Sequence, residues 1–129
     1  MQMTFLRGSA PHILSILRIL AAATFLTHGT MKLFGWPAPF EFPMSGLSYT
    51  AAILEVVGGL LLIVGLFSRP VAFILSGEMA VAYFMGHAPQ GFFPALNGGE
   101  PALLFCFVFL YIAAAGPGPW SIDAATGRD

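Results

Sequence analysis

Three charged residues stand where a lipid bilayer would leave them without water. Glu55 and Glu78 each fall near the middle of a segment otherwise apolar enough to cross a membrane, and Arg18 lies a comparable distance into a third. An unpaired charge at mid-membrane costs about 2.5 to 3.5 kcal/mol on insertion scales, so such groups are either paired inside a helix bundle or used for function. His28 and Lys32 follow Arg18 in the same segment, four residues apart and so on one helix face. An imidazole within reach of a carboxylate titrates near physiological pH and can give a proton to, or take one from, a carbonyl ligand. The spacing therefore points to proton or ligand chemistry as one reading, and to ion pairs that fix helix register as the other.

The elements that must position these groups follow from composition. With 57% hydrophobic and 9% charged residues, 129 residues cannot hide this much apolar surface in a water-soluble core, because roughly a quarter of an ordinary soluble domain is charged. The expected fold is all-α, an integral membrane bundle of four transmembrane helices in a single domain spanning 1–129. The helices are predicted at about 11–33, 49–67, 70–86 and 101–115. Pro11 suits a first helical turn, Gly35-Trp36-Pro37 ends the first span, and Ser68-Arg69-Pro70 gives a short turn between antiparallel neighbours. Gly116-Pro117-Gly118-Pro119 stops the fourth. The first segment reads as a retained helix rather than a cleaved signal, since Arg18 breaks its apolar run and His28 and Lys32 follow it.

Four spans place both termini on one side, which holds Arg7, Arg69 and Arg128 against Lys32 on the other, so both termini are expected in the cytoplasm. Counting helix rise inward, Arg18 and Glu78 come to similar depths from the cytoplasmic side and are expected to pair. Glu55 enters from the outer side near His28 and Lys32, and His87 and Glu100 flank the fourth helix close to Lys32. The expected second group is therefore His28, Lys32, Glu55, His87 and Glu100, a candidate ligand pocket. Ala51, Glu55, Gly58 and Gly59 form a small-residue stripe that lets another helix approach closely. The outer loops, rich in Pro, Gly and Phe, read as an aromatic belt at the membrane surface or as a lid over a lipophilic ligand.

Several chemistries lack support in the sequence. A net charge of −1 and five scattered basic residues give no footprint for nucleic acid. The single cysteine, Cys106, allows no disulfide, CxxC redox pair or cysteine zinc cluster within one chain. No HExxH or Glu-x-x-His spacing suggests a metal, and no G-x-S-x-G elbow suggests a hydrolase.

Leu17-Arg18-Ile19, His28-Gly29-Thr30-Met31-Lys32-Leu33-Phe34-Gly35 and Glu55-Val56-Val57-Gly58-Gly59-Leu60-Leu61-Leu62 resemble the first two helices of DoxX-type membrane proteins. Gly65-Leu66-Phe67-Ser68-Arg69, His87 to Phe93, Asn97 to Glu100 and the ending Gly116 to Asp123 agree in order and spacing. The resemblance implies a four-helix protein of the bacterial inner membrane. It also brings a family name tied to thiosulfate oxidation with quinone as acceptor, and members associated with oxidative stress or thiols. It transfers no catalytic residue set.

Three functions are compatible with these observations. In the first, the chain is an accessory or quinone-interacting subunit of a membrane redox system: His28, Lys32 and Glu55 hydrogen-bond a quinone carbonyl, no cofactor is covalently bound, and a membrane or peripheral redox partner supplies electrons. In the second, it is a non-enzymatic adaptor or assembly factor that docks a partner or a second copy, as a homo-oligomer, through the glycine stripe or aromatic loops. A small-solute transporter is the third.

Overall fold

The computed structural model describes residues 2–129, and the described residues form an all-α structure. A short helix α1 (Thr4–Gly8) leads into α2 (Ala10–Phe34), then α3 (Gly46–Val64) and α4 (Ser68–Gly86). A single 3-10 turn at Ala88–Gln90 and the one-turn α5 (Pro94–Asn97) connect to α6 (Glu100–Ala115), and α7 (Ile122–Ala125) closes the chain. Three stretches, Ala10–Phe34, Gly46–Val64 and Ser68–Gln90, are long and apolar enough to cross a membrane. The fourth apolar helix, α6, has 16 residues, about 24 Å at the usual rise and short of a ~30 Å hydrocarbon core.

Helix ends differ from the sequence expectation by up to three residues, and local chemistry explains the shifts. Ser45 caps α3 by accepting from the Ser48 amide at 3.2 Å, which starts the helix before Tyr49. Gly65 ends it at Val64 rather than Phe67: its φ of 72° is left-handed, and the Leu66 amide turns back to the Leu61 carbonyl at 2.9 Å. Helix α4 then begins at Ser68, with Pro70 in its first turn, where a missing amide hydrogen costs nothing.

α2 packs most extensively on α3, and α4 on α6; α3 against α4 and α2 against α6 close the bundle. Ala22, Phe25, Leu62, Leu75, Phe109 and Ile112 are fully buried between them, and Phe25 meets Phe109 edge-on at 5.0 Å. The small-residue stripe is consumed in this packing. Gly58 lies under Leu75 of α4, Gly59 under Leu26 of α2, and Gly29 against Ala52, Glu55 and Val56. Large apolar side chains such as Leu20, Ile53, Leu60, Phe73, Leu104 and Phe107 point outward from every major helix, a surface suited to acyl chains and not to water.

At the end of the bundle where α3 turns into α4, the chain beyond α6 folds back as a plug. Arg18 is completely buried there. It donates from Nε to the Leu62 carbonyl at 2.8 Å, from Nη1 to Pro117, and from Nη2 to Trp120 at 2.7 Å and Ile63 at 3.4 Å. Ser15, one turn earlier, donates to the Pro117 carbonyl and accepts from the Trp120 amide, each at 3.1 Å. The expected Arg18–Glu78 pair is therefore not formed. A helical side chain leans toward its own N-terminus, so the guanidinium reaches the bundle end, where backbone carbonyls use its donors.

Asp123 completes the plug by accepting from the Phe67 and Ser68 amides at 2.9 and 2.8 Å, which caps α4 from 55 residues away along the chain. Burial disfavours its ionised form, but the backbone amides of Ser68 and Phe67 and the charge of Arg128 outweigh that, and the carboxyl titrates below its ordinary range. A carboxyl depressed in the folded state stabilises fully above its unfolded value, about 3.9, and loses that contribution as pH falls through the folded value. The plug is therefore expected to stay docked at neutral pH and to loosen in acid below about pH 4. Proteolysis of the C-terminal segment against pH checks this; an acid response undiminished in Asp123→Asn would refute the assignment.

Candidate functional site

Helix ends set the depth of the remaining charges. Glu55 lies nine residues before Val64, the last residue of α3, and Glu78 ten residues after Ser68, the first of α4. Both therefore sit about 14–15 Å from the same end of the bundle, at one level. Ending α3 at Phe67 and starting α4 at Pro70 puts them at different depths, which is why the sequence matched Glu78 with Arg18 instead.

At that level three helices contribute to one polar cluster. Lys32 of α2 donates to both carboxylate oxygens of Glu55, at 3.0 and 2.9 Å, the one ion pair among the described residues. The Glu55 side chain is 2% exposed and that of Lys32 15%. The pair is held because Gly29, one turn before Lys32, has no Cβ: one built there would fall 3.0 Å from Glu55 Cβ, so only glycine allows α2 and α3 this close. Lys32 also lies over the Phe40 ring at 5.5 Å, and Thr30 donates to the Trp36 carbonyl at 2.7 Å. The loop after α2 is thereby folded across the ammonium group. Glu78 enters from α4 beside Glu55, at the same level of the bundle.

His28 is exposed on the flank of the bundle, with its ring packed against Phe25 and Phe105 at 6.4 and 6.1 Å and no hydrogen bond of its own. It lies within Coulombic range of both Glu55 and Lys32. The other two expected members do not join. His87 Nδ1 is engaged with the Asn97 carbonyl at 3.1 Å. Glu100 is exposed in the first turn of α6, where the helix dipole favours it. Neither has a hydrogen bond or ion pair to Lys32 or Glu55, because the chain between them is tied into a compact loop of its own.

Asn97 makes that tie, and sequence reasoning gave it no role. It is 4% exposed, donates to the Gly91 carbonyl at 2.9 Å and the Tyr83 hydroxyl at 3.3 Å, and accepts from the Gly99 amide at 2.8 Å. Its signal was an Asn directly before Gly98-Gly99, a turn signature. A cleft of about 310 Å³ opens beside this loop, lined by Tyr83, Phe84, Ala88, Gly91, Phe92 and Pro94. A second, of about 470 Å³, lies near Pro11, Tyr111 and Pro117 at the opposite end. Neither is lined by His28, Lys32 or Glu55.

A relative from Haemophilus influenzae described as an uncharacterized protein is 44% identical over 126 residues, covering 88% of this chain and 90% of its own. No solved structure gives a significant match. The DoxX family model matches residues 13–88, which hold Arg18, His28, Lys32, Glu55 and Glu78 together with most of the three long apolar helices. The chain belongs to the DoxX family of membrane proteins.

Proposed function

We propose that this protein is an accessory, quinone-interacting subunit of a redox system in the bacterial inner membrane, with α2, α3, α4 and α6 as its four crossings. Both termini then lie in the cytoplasm, the side given by Arg7, Arg69 and Arg128 under the positive-inside rule. The observation that carries the reading is His28: an exposed imidazole at membrane depth, without a hydrogen bond, beside a buried Lys32–Glu55 pair. A quinone reaches such a group by lateral diffusion in lipid, and its carbonyl accepts a hydrogen bond from the ring, with Phe105 offering a flat neighbour for the quinone ring. The chain's one cysteine, Cys106, lies against Ser76 and gives no electron relay, so a flavin, haem or iron–sulfur partner supplies the electrons.

Adding a short-chain quinone to protein in mild detergent is expected to raise its thermal midpoint. Ligand at a hundred times its Kd contributes about 2.7 kcal/mol. His28→Gln is expected to abolish the shift while leaving the unliganded midpoint unchanged, because His28 holds no hydrogen bond in the fold. No shift in the parent protein, together with no quinone carried through extraction, ends this reading. A non-enzymatic adaptor is the alternative, favoured by the outer loop, where Phe92 and Leu96 are 85% and 84% exposed. Docking through the glycine stripe is not available to it, since Gly58 and Gly59 are covered from within.

A further inference from the structure

Glu78 poses a problem of hydrogen-bond bookkeeping that the ion pair does not solve. Its Oε1 is buried, and no donor among the described residues reaches it. Glu78 lies beside Glu55, at the same level of the neighbouring helix, and Glu55 is an acceptor already engaged through both oxygens by Lys32. Two ionised carboxylates in contact would set lone pairs against lone pairs and leave one negative charge uncompensated in hydrocarbon.

Among the described residues, the surrounding groups offer no second permanent cation. Lys32 and His28 face the cluster from α2 and Glu55 from α3. From α6, packed along α4, come only uncharged groups after Glu100, with Cys106 joined to Ser76. Arg18 is committed to four carbonyls at the bundle end. One proton resolves both difficulties. Placed on Glu78 it turns an orphaned acceptor into a donor toward Glu55, and the cluster of Lys32, Glu55 and Glu78 becomes neutral.

We propose that Glu78 is a protonated carboxyl inside the membrane that donates to the Lys32-paired carboxylate of Glu55, making the triad a proton-exchange site reachable from lipid. Both oxygens of Glu55 already accept from the Lys32 ammonium group, so the added proton is placed on Glu78. Glu78 is only half-buried and follows Gly77, around which the surface is open, so lipid-soluble molecules have access to it. The site is defined by the chain's own groups and holds whether or not a quinone binds at His28.

The probe is N,N′-dicyclohexylcarbodiimide, a lipid-soluble reagent for protonated carboxyls, applied to the whole protein in mild detergent without quinone. The carboxyl hydrogen passes to one carbodiimide nitrogen as the carboxyl oxygen bonds the central carbon, and an acyl shift to nitrogen leaves a stable N-acylurea. Peptide mass spectrometry is expected to place the label on Glu78, an order of magnitude above Glu55. Glu78→Gln is expected to abolish the label and remove a protonated-carboxyl stretching band from the infrared spectrum. Its thermal midpoint should stay close to the parent's, because the amide still donates to Glu55. Label on Glu55 in place of Glu78, or no label on Glu78 in the parent protein, overturns the proposal, and the parent alone decides it should the variant not fold. Both readouts are taken without ligand, so they fail or succeed separately from quinone binding.

Discussion

Replacing Lys32 with Met is expected to destabilise the protein by about 3 to 5 kcal/mol, the range for removing one partner of a buried ion pair. The cost comes from what remains: a carboxylate 2% exposed, facing Glu78, in a region with no water to solvate it. Lys32→Met combined with Glu55→Gln is expected to recover most of the loss, since the pair is then gone and only the contact with Glu78 must be remade. Thermal midpoints of the single and double variants in the same detergent separate the outcomes. A single variant as stable as the parent would show that the ion pair does not hold α2 against α3. Glu78→Gln, by contrast, is expected to be nearly neutral. The destabilisation that an Arg18–Glu78 pair would have put at Glu78 belongs instead to Lys32 and Arg18.

Arg18→Met is the second large effect. The guanidinium satisfies carbonyls of Leu62, Ile63, Pro117 and Trp120, and each acceptor left buried without a donor costs about 1 to 3 kcal/mol. Detachment of the C-terminal plug lets some of these groups find water, so the net loss is expected at about 3 kcal/mol. It should appear as a lower thermal midpoint together with fast proteolytic cleavage between Ala115 and Ile122. Arg18→Lys is expected to rescue little, because an ammonium group is a point charge with three donors, whereas the planar fork reaches carbonyls in several directions at once. An Arg18→Met protein with an unchanged midpoint and a protected C-terminal segment would contradict this account.

These two residues also show how far reading the chain could go. Arg18 and Glu55 were identifiable as buried from the apolar runs around them, and Lys32 as a partner of Glu55 from its place at the far end of the first helix. The error at Arg18 arose from treating charges only as each other's partners. The end of α3 and the chain after α6 offer free carbonyls, and those of Leu62, Ile63, Pro117 and Trp120, distant in sequence, hold the guanidinium instead. Asp123 illustrates the same blindness, since nothing local to Ser121-Ile122-Asp123 announces that its carboxylate caps a helix beginning at Ser68. Boundary errors of three residues mattered more here than in a soluble protein, because each residue moves a charge by about 1.5 Å along a helix, and a few such steps decide which groups meet.

Composition and hydrophobic runs determined by themselves that this is an all-α membrane protein and where its long helices lie, because transfer of apolar side chains from water to lipid is a sum over residues and needs no knowledge of neighbours. Which charges meet was settled only in three dimensions. That choice depends on helix ends set by Ser45 and Gly65, on the close approach permitted by Gly29, and on backbone carbonyls competing with carboxylates for a guanidinium group. Each of those is a contact between distant parts of the chain, with an energy that exists only once the helices are side by side.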